Sequence, residues 1–266
     1  MSTESKGKKK KSILKKILLA AGCLLLVGVL AVGGVLANAL GLFAKGNADE
    51  YSVANTPALE NSPLQGKTII FLGSSVTKGM AAKMESFVDY LVKRDGIIAV
   101  KEAVSGTTLV DNGDDSYVAR MKNLDASIAA DAFVVQLSTN DATKGLPLGE
   151  IASGTSLADF DTATICGAME YVIAYARQTW NCPVIFYTGT RFDNENYGSM
   201  VDALLQMQQK WDIGVIDMWN DAALNNISPE LYDLYMQDDI HPTRAGYREW
   251  WLPVIETYLI EYLCGA

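Results

Sequence analysis

Short runs of apolar, often β-branched residues alternate with longer amphipathic stretches from Lys67 onward. Continuous short apolar runs are typical of parallel strands covered on both faces, and a period near 3.6 is typical of helices. The pattern predicts strands at Thr68–Leu72, Ile97–Ala103, Phe133–Leu137, Val184–Tyr187 and Val215–Met218. It predicts helices at Met80–Arg94, Tyr117–Ala130, Phe160–Trp180, Tyr197–Trp211 and Thr243–Leu263. Such alternation indicates an α/β protein whose parallel sheet carries helices on both faces.

The N-terminus follows a different pattern. Residues 17–44 contain no charge, and seven lysines precede them. About 20 apolar residues span a bilayer as a helix, and flanking lysines stay in the cytoplasm. We therefore expect a basic cytoplasmic tail (1–16) and a single transmembrane signal anchor (17–44), with the rest of the chain extracellular. A cleaved signal peptide ending near Ala39, which would give a secreted protein, is the alternative.

Two further boundaries follow from composition. Residues 45–66 are polar, contain two prolines and lack an apolar period, so we expect a linker there. The single folded domain would then occupy residues 67–266. Its cysteines are Cys166, Cys182 and Cys264, and a helix between the first two would hold them about 24 Å apart, so no disulfide framework is expected.

Charge and histidine content exclude several functions. The net charge of -9 divides into +6 for residues 1–44 and -15 for the remainder. An acidic body repels polyanions, which argues against nucleic-acid binding. The sequence contains a single histidine, His241, so a multi-histidine metal site is impossible and any chemistry that needs imidazole depends on this residue.

Reactive residues follow the predicted strands, at the sheet edge where ligands bind in such folds. The first strand leads into a Gly-Ser-Ser turn whose exposed serine suits a nucleophile, although such turns also serve as helix caps. Gly106 follows the second strand. Either its backbone N–H donates to an oxyanion, or the glycine simply allows the chain to turn. Asn140 follows the third strand and offers an N–H donor or a cap.

The segment Asp238-Asp239-Ile240-His241-Pro242 precedes the last predicted helix. A carboxylate three residues before the imidazole can accept the Nδ1 proton and direct Nε2 towards a hydroxyl. The segment therefore predicts that Asp238 orients His241, which then serves as a base for a serine.

These four segments resemble the blocks of the SGNH/GDSL hydrolase superfamily, which includes lysophospholipase-like esterases. Its members carry, in order, a serine in a G-D-S-like turn, a glycine, an asparagine in G-x-N-D, and D-x-x-H. The resemblance covers Lys67 to the C-terminus. It implies a three-layer α/β/α sandwich with a five-stranded parallel sheet in flavodoxin-like order.

The resemblance also implies roles for the site residues. Ser75 would be the nucleophile, His241 the base and Asp238 its partner. The oxyanion hole would consist of the Ser75 N–H, the Gly106 N–H and the Asn140 side chain. The implied reaction is hydrolysis of acyl esters, acetyl esters among them, through an acyl-enzyme, with no metal or organic cofactor.

Two residues depart from the family pattern. Ser74 stands where the signature has Asp, and Ser138 stands where the third block has Gly. Two adjacent serines leave two candidate nucleophiles, and alignment of Thr77 and Gly79 with G-D-S-x-T-x-G selects Ser75.

The substrate stays open at this level, with small-molecule, glycan and lipid esters all compatible. An acyltransferase or a lysophospholipase on the same triad, or an inactive carbohydrate-binding surface protein, are the alternative functions. Arg191 lies just beyond the fourth strand, where it either binds an anionic or polyhydroxy substrate or pairs with Asp193 or Glu195.

Overall fold

A five-stranded parallel sheet forms the centre of the computed structural model, which describes residues 25–265. The strands lie in the order β2-β1-β3-β4-β5, and every neighbouring pair is parallel. Their bounds are β1 Thr68–Gly73, β2 Ile98–Ala103, β3 Ala132–Gln136, β4 Val184–Tyr187 and β5 Gly214–Ile216. The predicted strands are thus confirmed, with ends that shift by one or two residues.

Helices cover both faces of this sheet. They are α1 Ser75–Lys78, α2 Phe87–Asp95, α3 Tyr117–Lys122, α4 Thr139–Thr143, α5 Ile165–Trp180, α6 Glu195–Trp211, α7 Pro229–Tyr235 and α8 Leu252–Cys264. A π-helical turn, Gly246–Trp251, leads directly into α8. Three 3₁₀ turns lie at Lys45–Asn47, Asp49–Tyr51 and Val53–Asn55, and a fourth at Leu157–Asp159.

Successive strand residues alternate between two hydrophobic cores. Ile70 and Leu72 of β1 face the core formed with α3, α5 and α6. Ile69 and Phe71 face the core formed with α2 and α8. Because strand side chains point alternately to opposite faces, continuous apolar strands fill both cores. The result is the three-layer α/β/α sandwich expected from the sequence.

Three predicted helices are shorter than their apolar period suggested, one of them because it begins at Ile165 rather than at Phe160. The helix predicted from Met80 begins only at Phe87, because Lys83 and Met84 adopt positive φ angles of 53° and 67°. The helix predicted to reach Ala130 ends at Lys122. Capping residues and turns, rather than apolar spacing, therefore set these ends.

An apolar helix precedes the folded domain. Residues 25–39 are helical, and their leucine and valine side chains are more than half exposed. Among residues 25–265, none of the helices combines the length and apolarity needed to cross a bilayer. The predicted tail (1–16) and residues 17–24 of the predicted anchor lie outside the described residues.

The stretch expected as a linker contacts the domain in both its first and its last part, where the Ser62 hydroxyl donates to Asp95 at 2.7 Å. The Val53 N–H donates to Glu85 Oε2 at 2.9 Å, and the Tyr90 hydroxyl donates to the Tyr51 carbonyl at 2.8 Å. The polar composition of residues 45–66 gave no sign of these contacts, because they depend on partners far along the chain.

Cys166, Cys182 and Cys264 form no disulfide with one another. Cys166 and Cys182 are buried, and Cys264 is exposed. Burial raises the pKa of Cys166 and Cys182 to about 11, so both thiols stay protonated and weakly reactive at neutral pH.

Candidate active site

Ser75 lies at the first position of α1, immediately beyond the carboxyl end of β1. Its Oγ lies 2.8 Å from Nε2 of His241, which is 166 residues later in the chain. Ser74 is fully buried, and its Oγ accepts a hydrogen bond from Gln136 Nε2 at 3.1 Å. Of the two adjacent serines, therefore, Ser75 meets the imidazole.

His241 lies in a narrow loop between α7 and the π-helical turn. The Gln237 N–H donates to the His241 carbonyl at 2.9 Å, and Met236 pairs with Pro242 in an antiparallel bridge. Asp238 contacts the imidazole Nδ1 through both carboxylate oxygens, each at 2.9 Å. A carboxylate at Nδ1 requires the proton on that nitrogen, which leaves Nε2 as the acceptor for a hydroxyl.

The environment of Asp238 keeps it ionised. Burial would raise the pKa of this carboxyl, but the hydrogen bond and charge of His241 and the backbone N–H groups of Ile240 and His241 outweigh it. The two N–H groups donate to Asp238 Oδ1 at 2.9 and 2.8 Å. The pKa of Asp238 is therefore lowered. The D-x-x-H spacing makes this possible because one carboxylate closes the turn and also reaches the ring.

The other two predicted site residues lie beside the serine turn. Gly106 has a φ of +83°, a conformation that favours glycine, and a Cβ there would meet no atom within 4 Å. Asn140 Nδ2 donates to the Thr107 carbonyl at 2.9 Å, so its side chain lies against the Gly106 loop. Within residues 25–265, neither the Ser75 N–H nor the Gly106 N–H takes part in a backbone hydrogen bond.

Gln136, at the end of β3, accepts hydrogen bonds from the serine turn and fixes its position. Its Oε1 accepts the Ser74 N–H at 2.9 Å, the Thr77 N–H at 3.1 Å and the Thr77 hydroxyl at 2.8 Å. The side chain is only 2% exposed. Sequence reasoning missed this role, although a glutamine inside an otherwise apolar strand was the available signal, since buried polar groups need partners.

Arg120 and Asp141 hold the glycine loop. The Arg120 guanidinium donates to the Gly73 carbonyl at 2.8 Å and to the Thr107 hydroxyl at 3.1 Å. Asp141 accepts the backbone N–H groups of Leu109 and Val110 at 2.7 and 3.0 Å. The sequence analysis assigned no role to either residue. Arg120 looked like an ordinary charged residue of a helix, and Asp141 like an ordinary neighbour of the motif residue Asn140.

The two departures from the family pattern have separate structural partners. Ser74 hydrogen-bonds to Gln136, as described above. The Ser138 side chain caps α4 by accepting the Asp141 N–H at 3.4 Å, which leaves Asn140 free of that capping role. Serine in place of glycine at position 138 thus suits the helix start.

Arg191 borders a polar pocket beyond the ends of β4 and β5. The pocket has a volume of about 580 Å³, and its lining includes Asp193, Glu195, Asp202 and Trp219. The guanidinium lies 5.5 Å from the centre of the Trp219 ring. In the described part of the chain, Arg191 forms no ion pair, so the predicted pairing with Asp193 or Glu195 is absent.

Comparisons with known proteins point to one family. The sequence model of the GDSL-like Lipase/Acylhydrolase family matches residues 71–249. A solved structure from Lactobacillus plantarum is 21% identical, with a TM-score of 0.61 over 76% of this chain and 98% of that one. A member of the lipolytic protein G-D-S-L family from Veillonella parvula is 15% identical, with a TM-score of 0.52 over 74% and 97%.

A family two carbohydrate esterase from Clostridium thermocellum, solved with cellohexaose, is also similar in structure. It is 13% identical, with a TM-score of 0.54 over 79% of this chain and 68% of that one. Among curated proteins, none matches the sequence significantly. At these identities the solved structures bear on the fold alone.

The matched residues 71–249 include every block from the serine turn to the D-x-x-H segment, and they make up more than half of the chain. The chain belongs to the GDSL-like lipase/acylhydrolase family, and it is a hydrolase.

Replacing Gln136 tests the support beneath the serine turn. Gln136→Leu should lower the free energy of unfolding by about 2–5 kcal/mol, because each buried N–H left without an acceptor costs about 1–3 kcal/mol. Urea unfolding measures the difference. Gln206→Leu, on the exposed face of α6, is the matched control and should change stability by less than about 0.5 kcal/mol. Equal stability of the two variants would contradict the assignment.

Proposed function

We propose that the protein is an extracellular serine esterase that hydrolyses acyl esters through Ser75, His241 and Asp238. One observation carries the proposal: the Ser75 hydroxyl lies 2.8 Å from an imidazole whose other nitrogen contacts a carboxylate at 2.9 Å. A nucleophile, a base and a group that orients the base, each within hydrogen-bond distance of the next, are the requirements for acyl transfer from a serine.

In the proposed cycle, Ser75 Oγ attacks the ester carbonyl while His241 Nε2 takes its proton. The oxyanion receives hydrogen bonds from the Ser75 N–H, the Gly106 N–H and Asn140. Collapse of the tetrahedral intermediate expels the alcohol, which takes the proton from His241. Water, activated by the same imidazole, then hydrolyses the acyl-enzyme. Each oxyanion donor typically contributes about 10²–10³-fold in rate and the base about 10²–10⁴-fold.

The two adjacent serines provide a matched test of the nucleophile. Ser75→Ala should abolish labelling by a fluorophosphonate probe and lower kcat for p-nitrophenyl acetate by at least about 10⁴-fold. Ser74→Ala removes the same hydroxyl one residue away and should retain both properties. Labelling of the Ser75→Ala protein, or a wild-type protein that reacts with neither reagent, would refute the proposal; the second result would favour an inactive binding protein.

We infer a small acyl group, such as acetyl, from the narrow cavity next to the catalytic residues. The cavity lined by Val76 and Ile240, the neighbours of Ser75 and His241, has a volume of only about 10 Å³. That is about the space of one water molecule, so it cannot take a long acyl chain. Faster hydrolysis of p-nitrophenyl decanoate than of the acetate would contradict an acetyl preference.

The pocket beside Arg191 suits the alcohol part of the ester. Phe192 lines both this pocket and the small cavity beside Val76, so the two are neighbours. One guanidinium and three carboxylates face the pocket, which disfavours an anionic ligand and offers many hydrogen-bonding groups. These features support a neutral polyhydroxy alcohol, such as a glycan, over a lipid. The similarity to a carbohydrate esterase is compatible with this choice.

Substitution of Arg191 tests the glycan assignment. Arg191→Ala should raise KM for an acetylated oligosaccharide by about 10-fold, because a hydrogen bond to a charged group contributes about 1.5–3 kcal/mol. It should leave p-nitrophenyl acetate hydrolysis unchanged, since the leaving group of that substrate lacks the sugar hydroxyls that the guanidinium would bind. Arg177→Ala removes the same charge near the end of α5 and serves as the control. An equal effect of Arg191→Ala on both substrates would exclude this role.

The lysine cluster and the exposed apolar helix support attachment to the cell membrane, with the N-terminus cytoplasmic. The full chain should then fractionate with membranes, and protease added to intact cells should degrade its domain. Recovery in the medium with a new N-terminus near residue 40 would favour the secreted alternative, and recovery of the full chain in the cytosol would exclude both.

A further inference from the structure

Asn47 is a buried side chain outside the part of the chain that the family model matches. It is 2% exposed. Its Nδ2 donates to the carbonyls of Gly41 and Ala81 at 2.7 and 2.6 Å, and its Oδ1 accepts the Arg244 N–H at 2.8 Å. A buried amide that uses both donor hydrogens and its acceptor fixes the relative position of the segments it joins.

The segments that Asn47 joins are those that carry the two reactive groups. Ala81 follows the helix that begins at Ser75, and Arg244 comes three residues after His241. The short stretch between His241 and Arg244 is itself restrained, because the Thr243 hydroxyl donates to the Leu234 carbonyl at 2.7 Å and the Thr243 N–H donates to the Tyr235 carbonyl at 2.8 Å. A displacement of Arg244 would therefore also displace His241.

The backbone next to Asn47 lies directly on this loop. A Cβ on Gly46 would come within 2.0 Å of the Leu234 carbonyl oxygen and 2.3 Å of the Thr243 hydroxyl. Real Cβ atoms do not approach backbone so closely, so glycine is required at this position. The segment that contains Gly46 and Asn47 therefore packs directly against the loop that carries His241.

Further contacts hold the same segment, residues 41–55, which we call the N-terminal strap. The Arg244 guanidinium donates to Glu85 at 2.6 Å and to Asp49 at 3.3 Å. Glu85 also accepts the Val53 N–H at 2.9 Å. Asp49 is largely exposed, so its ion pair adds little, whereas the Arg244–Glu85 contact is mostly buried. Several residues thus connect the N-terminal strap to the domain, and among these Asn47 is a buried one.

We propose that Asn47 is a positioning residue for catalysis, through which the N-terminal strap holds His241 at hydrogen-bond distance from Ser75. The inference rests on the proposed role of these two residues. It assigns a function to a segment that lies before the family's matched region. Because a misplacement of about 1 Å can cost about 10²-fold in rate, loss of the strap contact should act on turnover rather than on substrate binding.

Two variants of the full chain test the inference. Asn47→Ala removes all three hydrogen bonds, and Gly46→Ala displaces the strap while keeping the Asn47 side chain. Each should lower kcat for p-nitrophenyl acetate and the rate of fluorophosphonate labelling by at least about 10-fold, with KM changed less than 2-fold. Dividing each rate by the folded fraction, measured by tryptophan fluorescence, prevents loss of folded protein from counting as loss of kcat.

Asn55→Ala is the matched control. Asn55 belongs to the same strap and donates to the Asp49 carbonyl and the Ser52 hydroxyl, and within residues 25–265 its side chain forms no hydrogen bond to the histidine loop. It should leave kcat and labelling unchanged. Wild-type kcat and labelling in folded Asn47→Ala or Gly46→Ala would overturn the inference, as would an equal loss in Asn55→Ala. The Ser75→Ala protein is run in the same assay. If Ser75→Ala is active, the proposed function fails. If it is inactive while Asn47→Ala and Gly46→Ala keep wild-type rates, only the inference about Asn47 fails.

Discussion

The buried amide of Gln136 is the interaction on which the site depends most. A tight turn between a central strand and a short helix leaves N–H groups that water cannot reach, and the Oε1 of Gln136 accepts those of Ser74 and Thr77. The acceptor of these N–H groups therefore belongs to the neighbouring strand β3 rather than to the turn itself. Hydrogen bonding to β3 therefore determines where the serine turn lies, and with it the position of Ser75.

The strand order then brings the remaining groups together. Because β2, β1 and β3 are neighbours, the residues that follow them share one edge of the sheet. Arg120 and Asp141 hold the glycine loop against that edge, and Asn140 contacts it directly. The histidine comes from no strand end. It enters on a separate loop, which is why further contacts are needed to hold it near Ser75.

Two features lie outside this framework, the polar pocket beside Arg191 and the N-terminal strap. The polar pocket beyond β4 and β5 supports the proposed polyhydroxy alcohol, and the narrow space beside Val76 supports the proposed small acyl group. The strap lies N-terminal to the family's matched residues yet contacts the loop that carries His241. In the proposals made above, substrate choice and histidine position belong to different parts of the chain, so substitutions should change KM and kcat separately.

The sequence by itself determined the five strands, the covered parallel sheet and the candidate site residues, because apolar period and motif spacing are local properties. It placed Asp238 beside His241, since three residues of turn suffice for that contact. Only the tertiary structure shows that Gln136 and Asn47 hold the two segments in place, and it brings Ser75, which the motif alignment had already selected over Ser74, to the imidazole. Those contacts join residues tens to hundreds of positions apart, and no local pattern encodes which distant group will satisfy a buried polar atom.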